Sequence, residues 1–89
     1  MTTGEVFKRA RGKLLRYLYD QGAIASTHAA GRGDAAKAAG LDPGDFTALW
    51  DLLMRAKLVD GTGSGLTGKG WLTPAGFDEA GRLARKRKK

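Results

Sequence analysis

The chain has no cysteine, a single histidine, two prolines and no long apolar run. Without cysteine it offers no disulfide, no thiolate-ligated zinc, no thiol nucleophile and no redox switch. His28 alone excludes any site built on two imidazoles, and no second ligand or nucleophile pattern lies near it. Nothing approaches the roughly 18 apolar residues that span a bilayer. The start, Met1-Thr2-Thr3-Gly4-Glu5, lacks the basic-then-apolar pattern of a signal peptide. A cytoplasmic protein off the membrane is therefore expected. No paired carboxylates and no nucleophile with its base stand out, so neither catalysis, cofactor nor metal is expected.

What remains is 89 residues carrying 16 Lys and Arg against 9 Asp and Glu, a net charge of +7. A chain this short forms one small domain built from a few elements. Its positive excess is terminal: residues 1–19 set Lys8, Arg9, Arg11, Lys13 and Arg16 against Glu5, and residues 82–89 carry six bases and no acid. The stretch between them has five bases against eight acids, a net −3. Charge at both ends points to a polyanion partner, of which nucleic acid is the commonest.

Thr2 and Glu5 have capping-box spacing, and helical periodicity then runs from Gly4 to Gln21 before Gly22 stops it. Phe7, Ala10, Leu14, Leu15 and Leu18 fall on one face flanked by Tyr17, with Arg9, Lys13 and Arg16 opposite. Residues 22–33 form a weakly patterned connector with room for a short strand or a turn of helix. Asp34 is placed to cap a short helix, Ala35 to Ala39, that Gly40 ends. Asp42 at the N-cap, Pro43 at N1 and Asp45 near the positive helix end open a third helix that runs to about Lys57. Its inward face is Phe46, Leu49, Trp50, Leu53 and Ala56; its outward face is Thr47, Ala48, Asp51, Leu52 and Arg55.

Leu58-Val59-Asp60 reads as a strand and Gly70-Trp71-Leu72-Thr73 as its partner, joined by a loop containing Gly61, Gly63, Gly65 and Gly68. Thr73-Pro74 caps a last short helix whose apolar face is Phe77, Ala80, Leu83 and Ala84. Gly76 and Gly81 weaken that helix by roughly 1 kcal/mol each relative to Ala, so it needs a surface to pack on. Beyond Arg85 nothing apolar remains. A domain over residues 1–85 with a disordered basic tail, Lys86 to Lys89, is the expectation.

In its order of elements the chain resembles the bacterial winged helix-turn-helix regulators. Ala36-Lys37-Ala38-Ala39-Gly40-Leu41-Asp42 is similar to that family's second helix and turn. Phe46, Trp50 and Leu53 fall where its recognition helix has core residues, and Leu72-Thr73-Pro74-Ala75-Gly76 resembles its junction into the closing helix. The likeness covers about residues 5–85. It implies a mainly α fold with a small β-hairpin: a three-helix core plus a wing and a C-terminal helix. Lys57 stands where the family usually has a helix-ending glycine, which implies a strained or reshaped exit. The acids Asp42, Asp45 and Asp51 also depart from a family that favours bases and amides there.

The resemblance further implies that the third helix enters the major groove of duplex DNA. Thr47 and Ala48 would then meet base edges or a thymine methyl, Asp51 would accept from a cytosine amine, and Arg55 would hold a phosphate or guanine. Since Asp45 and Asp51 oppose phosphates, affinity falls to Arg9, Lys13, Arg16, Lys37, Lys69 and the tail bases Arg85, Lys86, Arg87, Lys88 and Lys89. The expected role is transcription regulation, or association with chromosomal or mobile-element DNA in the nucleoid, with a homodimer possible. The alternative is a winged-helix module that binds a protein, or RNA and ribosomes.

Other motifs have plainer explanations. Gly63 to Gly68 matches G-x-G-x-x-G and Gly63 to Lys69 matches G-x-x-x-x-G-K, but a strand pattern follows where a phosphate loop needs a helix. These glycines read as a flexible wing tip. Arg32-Gly33-Asp34 reads as a chance adhesion tripeptide next to a helix cap. Trp50 has core spacing rather than that of a base-stacking platform, and Trp71 fits either.

Overall fold

A computed structural model of the chain describes residues 3–63 and 67–87. Helix α1 spans Thr3–Asp20, and a 3-10 turn at Ser26–His28 leads into β1, Ala30–Gly31. Then come α2 (Arg32–Ala39), α3 (Pro43–Arg55), β2 (Val59–Thr62), β3 (Lys69–Leu72) and α4 (Pro74–Arg87). The protein is thus mainly helical, with an antiparallel three-stranded sheet in the order β1-β3-β2. Among the described residues no helix is long and apolar enough to cross a membrane.

Three helices end on the same backbone device, in which a left-handed residue lets two amides turn back onto the last turn. After α1 it is Gly22 at φ 69°, with the Gly22 and Ala23 amides donating to the Tyr19 and Leu18 carbonyls. After α2 it is Gly40 at φ 71°, with Leu41 N–H donating to the Ala36 carbonyl. After α3 the residue is Lys57 at φ 62°, with Leu58 N–H donating to the Leu53 carbonyl. A side chain in that region costs about 1 kcal/mol or more, so the strain expected from the missing glycine is present.

Helix starts are equally local. The Asp42 carboxylate accepts from Asp45 N–H at 2.8 Å ahead of Pro43. Thr73 Oγ1 accepts from Gly76 N–H at 3.1 Å and donates to the Lys57 carbonyl at 2.6 Å, so the cap of α4 also ties down the exit of α3. Leu14, Leu15 and Leu18 of α1, Phe46, Leu49, Trp50 and Leu53 of α3, and Val59 and Leu72 of the sheet form the core with the buried alanines of α2.

Several boundaries and faces differ from the sequence reading. Helix α2 begins three residues early, at Arg32, so Asp34 lies within its first turn and Gly31 precedes it. Ala56 is exposed at the C-cap of α3 rather than facing inward. Leu52 is half exposed, as its outward position implies, and lines an open groove with Phe7, Leu49, Leu53, Ala56 and Leu58. Thr73 is a cap, not a strand residue, and Phe77 is exposed but stacked on Tyr19 with ring centroids 5.1 Å apart. The backbone of α4 is helical to Arg87, two residues past the expected boundary. The capping contribution of Thr2, the loop tip at residues 64–66 and the tail residues Lys88 and Lys89 lie outside the described residues.

Candidate nucleic-acid interface

Helix α4, which carries the C-terminal bases Arg82 and Arg85, packs along the basic helix α1. Helices α1 and α4 pack antiparallel: Tyr19, near the end of α1, lies against Phe77 and Gly81, whereas Leu83 lies with Lys8, Arg9 and Gly12. At that seam Lys8, Arg9, Lys13 and Arg16 surround an open cleft of about 290 Å³, with Gly12 and Leu83 completing its lining. Nothing stands within 4 Å of where a Gly12 Cβ would be, so the cleft is open to an incoming group. Arg16 is partly neutralised by Asp20 at 3.0 Å. Arg9 and Lys13 point outward and are exposed.

Beside the cleft, Glu79 on α4 receives Arg82 at 2.6 Å and Arg11 at 3.2 Å. The Arg82 hydrogen bond, with help from Arg11, holds the Glu79 carboxyl below its usual range against the opposing effect of burial. Arg82 is correspondingly raised, chiefly by its hydrogen bond to Glu79. Arg11 thus ties α1 to α4 through Glu79, which Arg82 holds in place from within α4, and α4 finds its packing surface within its own chain.

The outward face of α3 is a weaker cation surface. Arg55 pairs with Asp51 at 3.1 Å along the helix, a solvent-exposed contact between two residues assigned to base or phosphate contact. Thr47 Oγ1 donates to the Pro43 carbonyl at 2.8 Å, leaving its methyl and lone pairs outward. Ala48 is exposed, as is Lys37 on α2. Thr47 and Asp51 share an open pocket of about 190 Å³ with Arg32, Phe46, Trp50 and Met54.

Arg32 is the residue that the sequence reading missed. It is 9% exposed, and its guanidinium donates from Nε to the Lys69 carbonyl at 3.0 Å and from Nη2 to the carbonyls of Thr62 at 2.8 Å and Gly63 at 3.2 Å. It also lies over the Trp50 ring, 5.4 Å from the centroid, while Trp50 stacks on Phe46 at 5.5 Å. Two neighbouring glycines make this possible. A Cβ at Gly61 would stand 3.0 Å from Arg32 Nη2, and one at Gly68 would stand 2.9 Å from Arg32 Cζ. At Gly70 it would meet the Trp50 ring at 2.3 Å.

These glycines share one face of the hairpin. Gly61 pairs with Gly70, and Gly68 lies two residues before Gly70. Gly61, Gly68 and Gly70 are therefore a bare floor for Arg32 and Trp50, and the expected flexible tip between them falls on residues 64–66, outside the described residues. The opposite face carries Asp60, Thr62, Lys69 and Trp71, with Thr62 directly across from an exposed Lys69. Trp71 is half-buried against the core. The available signal was glycine at alternate strand positions, which marks close approach by another group.

The structure thus brings Arg9, Lys13 and Arg16 together at the seam and continues toward them the helix that carries Arg85. It groups Thr47 and Asp51 with Arg32 and Trp50, while the Lys69 side chain lies on the opposite face of the hairpin. The Gly63 to Lys69 segment runs into β3 instead of a helix start. Among the described residues no three His, Asp or Glu side chains converge as metal ligands. No protein family, no curated protein and no solved structure matches the chain.

Proposed function

We propose that the chain is a winged helix-turn-helix protein that binds double-stranded DNA, most simply a transcription regulator or a nucleoid-associated factor. The observation that carries this reading is the α1–α4 seam, where Lys8, Arg9, Lys13 and Arg16 of α1 surround an open cleft that Leu83 of α4 closes, while the middle of the chain is net acidic. Such a surface suits a phosphate backbone, and counterion release there supplies affinity without regard to sequence. The helix, strand, helix, turn, helix, hairpin order supports the winged-helix assignment, with α3 offered to the major groove and Lys69 on the outer face of the wing. Arg55 would exchange its exposed contact with Asp51 for the DNA, and with Arg55 the one base on the outward face of α3, discrimination by Thr47, Ala48 and Asp51 stays modest.

Equilibrium binding to duplex DNA, RNA and single strands at about 150 mM salt tests the proposal, since weak non-specific contacts fade there. Preference for the duplex is expected; preference for RNA or single strands would refute it. A second reading, a module that binds a protein, is favoured by Leu52, 50% exposed in an apolar groove between α1 and α3. Under that reading Leu52→Asp abolishes partner binding and leaves any duplex affinity untouched.

A further inference from the structure

We propose that Arg32 is the positioning residue of the hairpin, holding Lys69 in the orientation in which it meets a phosphate; this rests on the DNA-binding reading above. Arg32 is buried, so its charge does not itself face a ligand. What it does is fasten both strands where they leave the sheet: the carbonyls of Thr62 and Gly63 on one side and of Lys69 on the other accept from the same guanidinium. Thr62 and Lys69 are cross-strand partners, so one planar group fixes the spacing of the last pair before the tip. Strand β1 delivers it, since Gly31 pairs with Lys69 and Arg32 N–H donates to the Gly68 carbonyl at 3.0 Å.

A hairpin of four-residue strands holds its shape poorly by itself. Fixing it before binding removes an ordering penalty that a loose wing would meet on the DNA. Lysine cannot replace the fork, because a single ammonium is a point charge that does not span three carbonyls in a plane. The bare floor of Gly61 and Gly68 serves the same end by letting the guanidinium lie flat against the backbone.

The test is a double-variant cycle read from the salt dependence of duplex binding by the full chain. Losing one phosphate contact lowers the slope of log affinity against log salt by about 0.9. Lys69→Ala and Arg32→Lys are each expected to lower it by about 0.9, and the two together also by about 0.9, because they remove the same contact. A combined loss near 1.8, or an unchanged slope in Arg32→Lys, would overturn the proposal. Gly68→Ala keeps the arginine but sets a methyl 2.6 Å from the Thr62 carbonyl and 2.9 Å from the guanidinium, so it disturbs both halves of the clamp and is expected to lower the slope at least as much as Arg32→Lys.

Amide exchange separates the clamp from the DNA reading. Faster exchange across β2 and β3 in Arg32→Lys, with α1 unchanged, supports the clamp, and unchanged exchange in the hairpin overturns it. If exchange quickens but Lys69→Ala leaves the slope of the unaltered chain intact, the phosphate role of the wing fails instead, and the proposal with it.

Discussion

Gly76 and Gly81 look alike in the sequence, as two helix-weakening glycines, yet the structure predicts opposite results for Gly76→Ala and Gly81→Ala. A Cβ at Gly76 would stand 1.8 Å from the Leu58 carbonyl oxygen and 3.2 Å from Leu72 Cδ2. That carbonyl cannot swing away freely, because it accepts from Thr73 N–H at 3.1 Å. Opening the gap from 1.8 Å to 3.0 Å moves the start of α4 by about 1.2 Å and breaks the Thr73 link to Lys57. Overpacking of this kind costs roughly 1–3 kcal/mol, and the lost hydrogen bond adds about 1 kcal/mol. Better helix propensity returns only about 0.5–1 kcal/mol. The net is a destabilisation of roughly 2 kcal/mol, or a Tm lower by about 8–16 °C for a domain of this size.

A Cβ at Gly81 meets only Tyr19 Cε2 and Arg85 Nη1, both at 3.5 Å, which is ordinary contact. Gly81→Ala is therefore expected to gain about 0.5–1 kcal/mol and raise Tm by roughly 2–8 °C. Thermal and urea unfolding followed by circular dichroism read both variants in one experiment. If Gly76→Ala is as stable as the unaltered chain, or if the two alanines shift Tm in the same direction, the packing of α4 across Leu58 is wrong.

Three other outcomes follow from the geometry. Lys57→Gly relieves the left-handed strain at the end of α3 and is expected to stabilise the fold by up to about 1 kcal/mol after the extra freedom of the unfolded chain is counted, measured as a shift in urea midpoint. Glu79 has a folded pKa below its ordinary 4.5, so its bonds to Arg82 and Arg11 stabilise the fold above that pH and are lost as pH falls through the depressed value. Glu79→Gln is accordingly less stable than the parent near neutrality, and the gap between their urea midpoints closes on acidification; a gap independent of pH would contradict the assignment. Arg9→Ala with Lys13→Ala removes two seam contacts and is expected to lower the salt slope of duplex binding by about 1.8, whereas Arg55→Ala, whose guanidinium is held by Asp51, lowers it by less.

Much of the fold was legible because its signals act within a turn of the chain. Gly22 and Gly40 stop helices by adopting a conformation open to glycine, and Asp42-Pro43 and Thr73-Pro74 start them by satisfying the first amides. The apolar faces of α1 and α3 followed from helical spacing, apart from Ala56. Ala56 falls at the cap of α3 and is exposed there. Of the candidate interface, Arg9, Lys13 and Arg16 were legible as a stripe, but nothing local tells that Leu83 closes a cleft with them.

What the sequence by itself determined is therefore the set of elements, their ends, the acidic middle and the basic termini. Periodicity, caps and charge are properties of neighbours in the chain. Only the tertiary structure decided that the basic stripe of α1 becomes the wall of a cleft, since that depends on α4 returning antiparallel along α1, where Arg11 reaches Glu79 and Leu83 closes the lining. It also decided that Arg32 is buried structure, although its sequence surroundings resemble an exposed loop. Its partners Thr62 and Lys69 lie 30 and 37 residues away, and a guanidinium leaves water only where folding assembles carbonyls, a tryptophan face and a glycine floor around it at once.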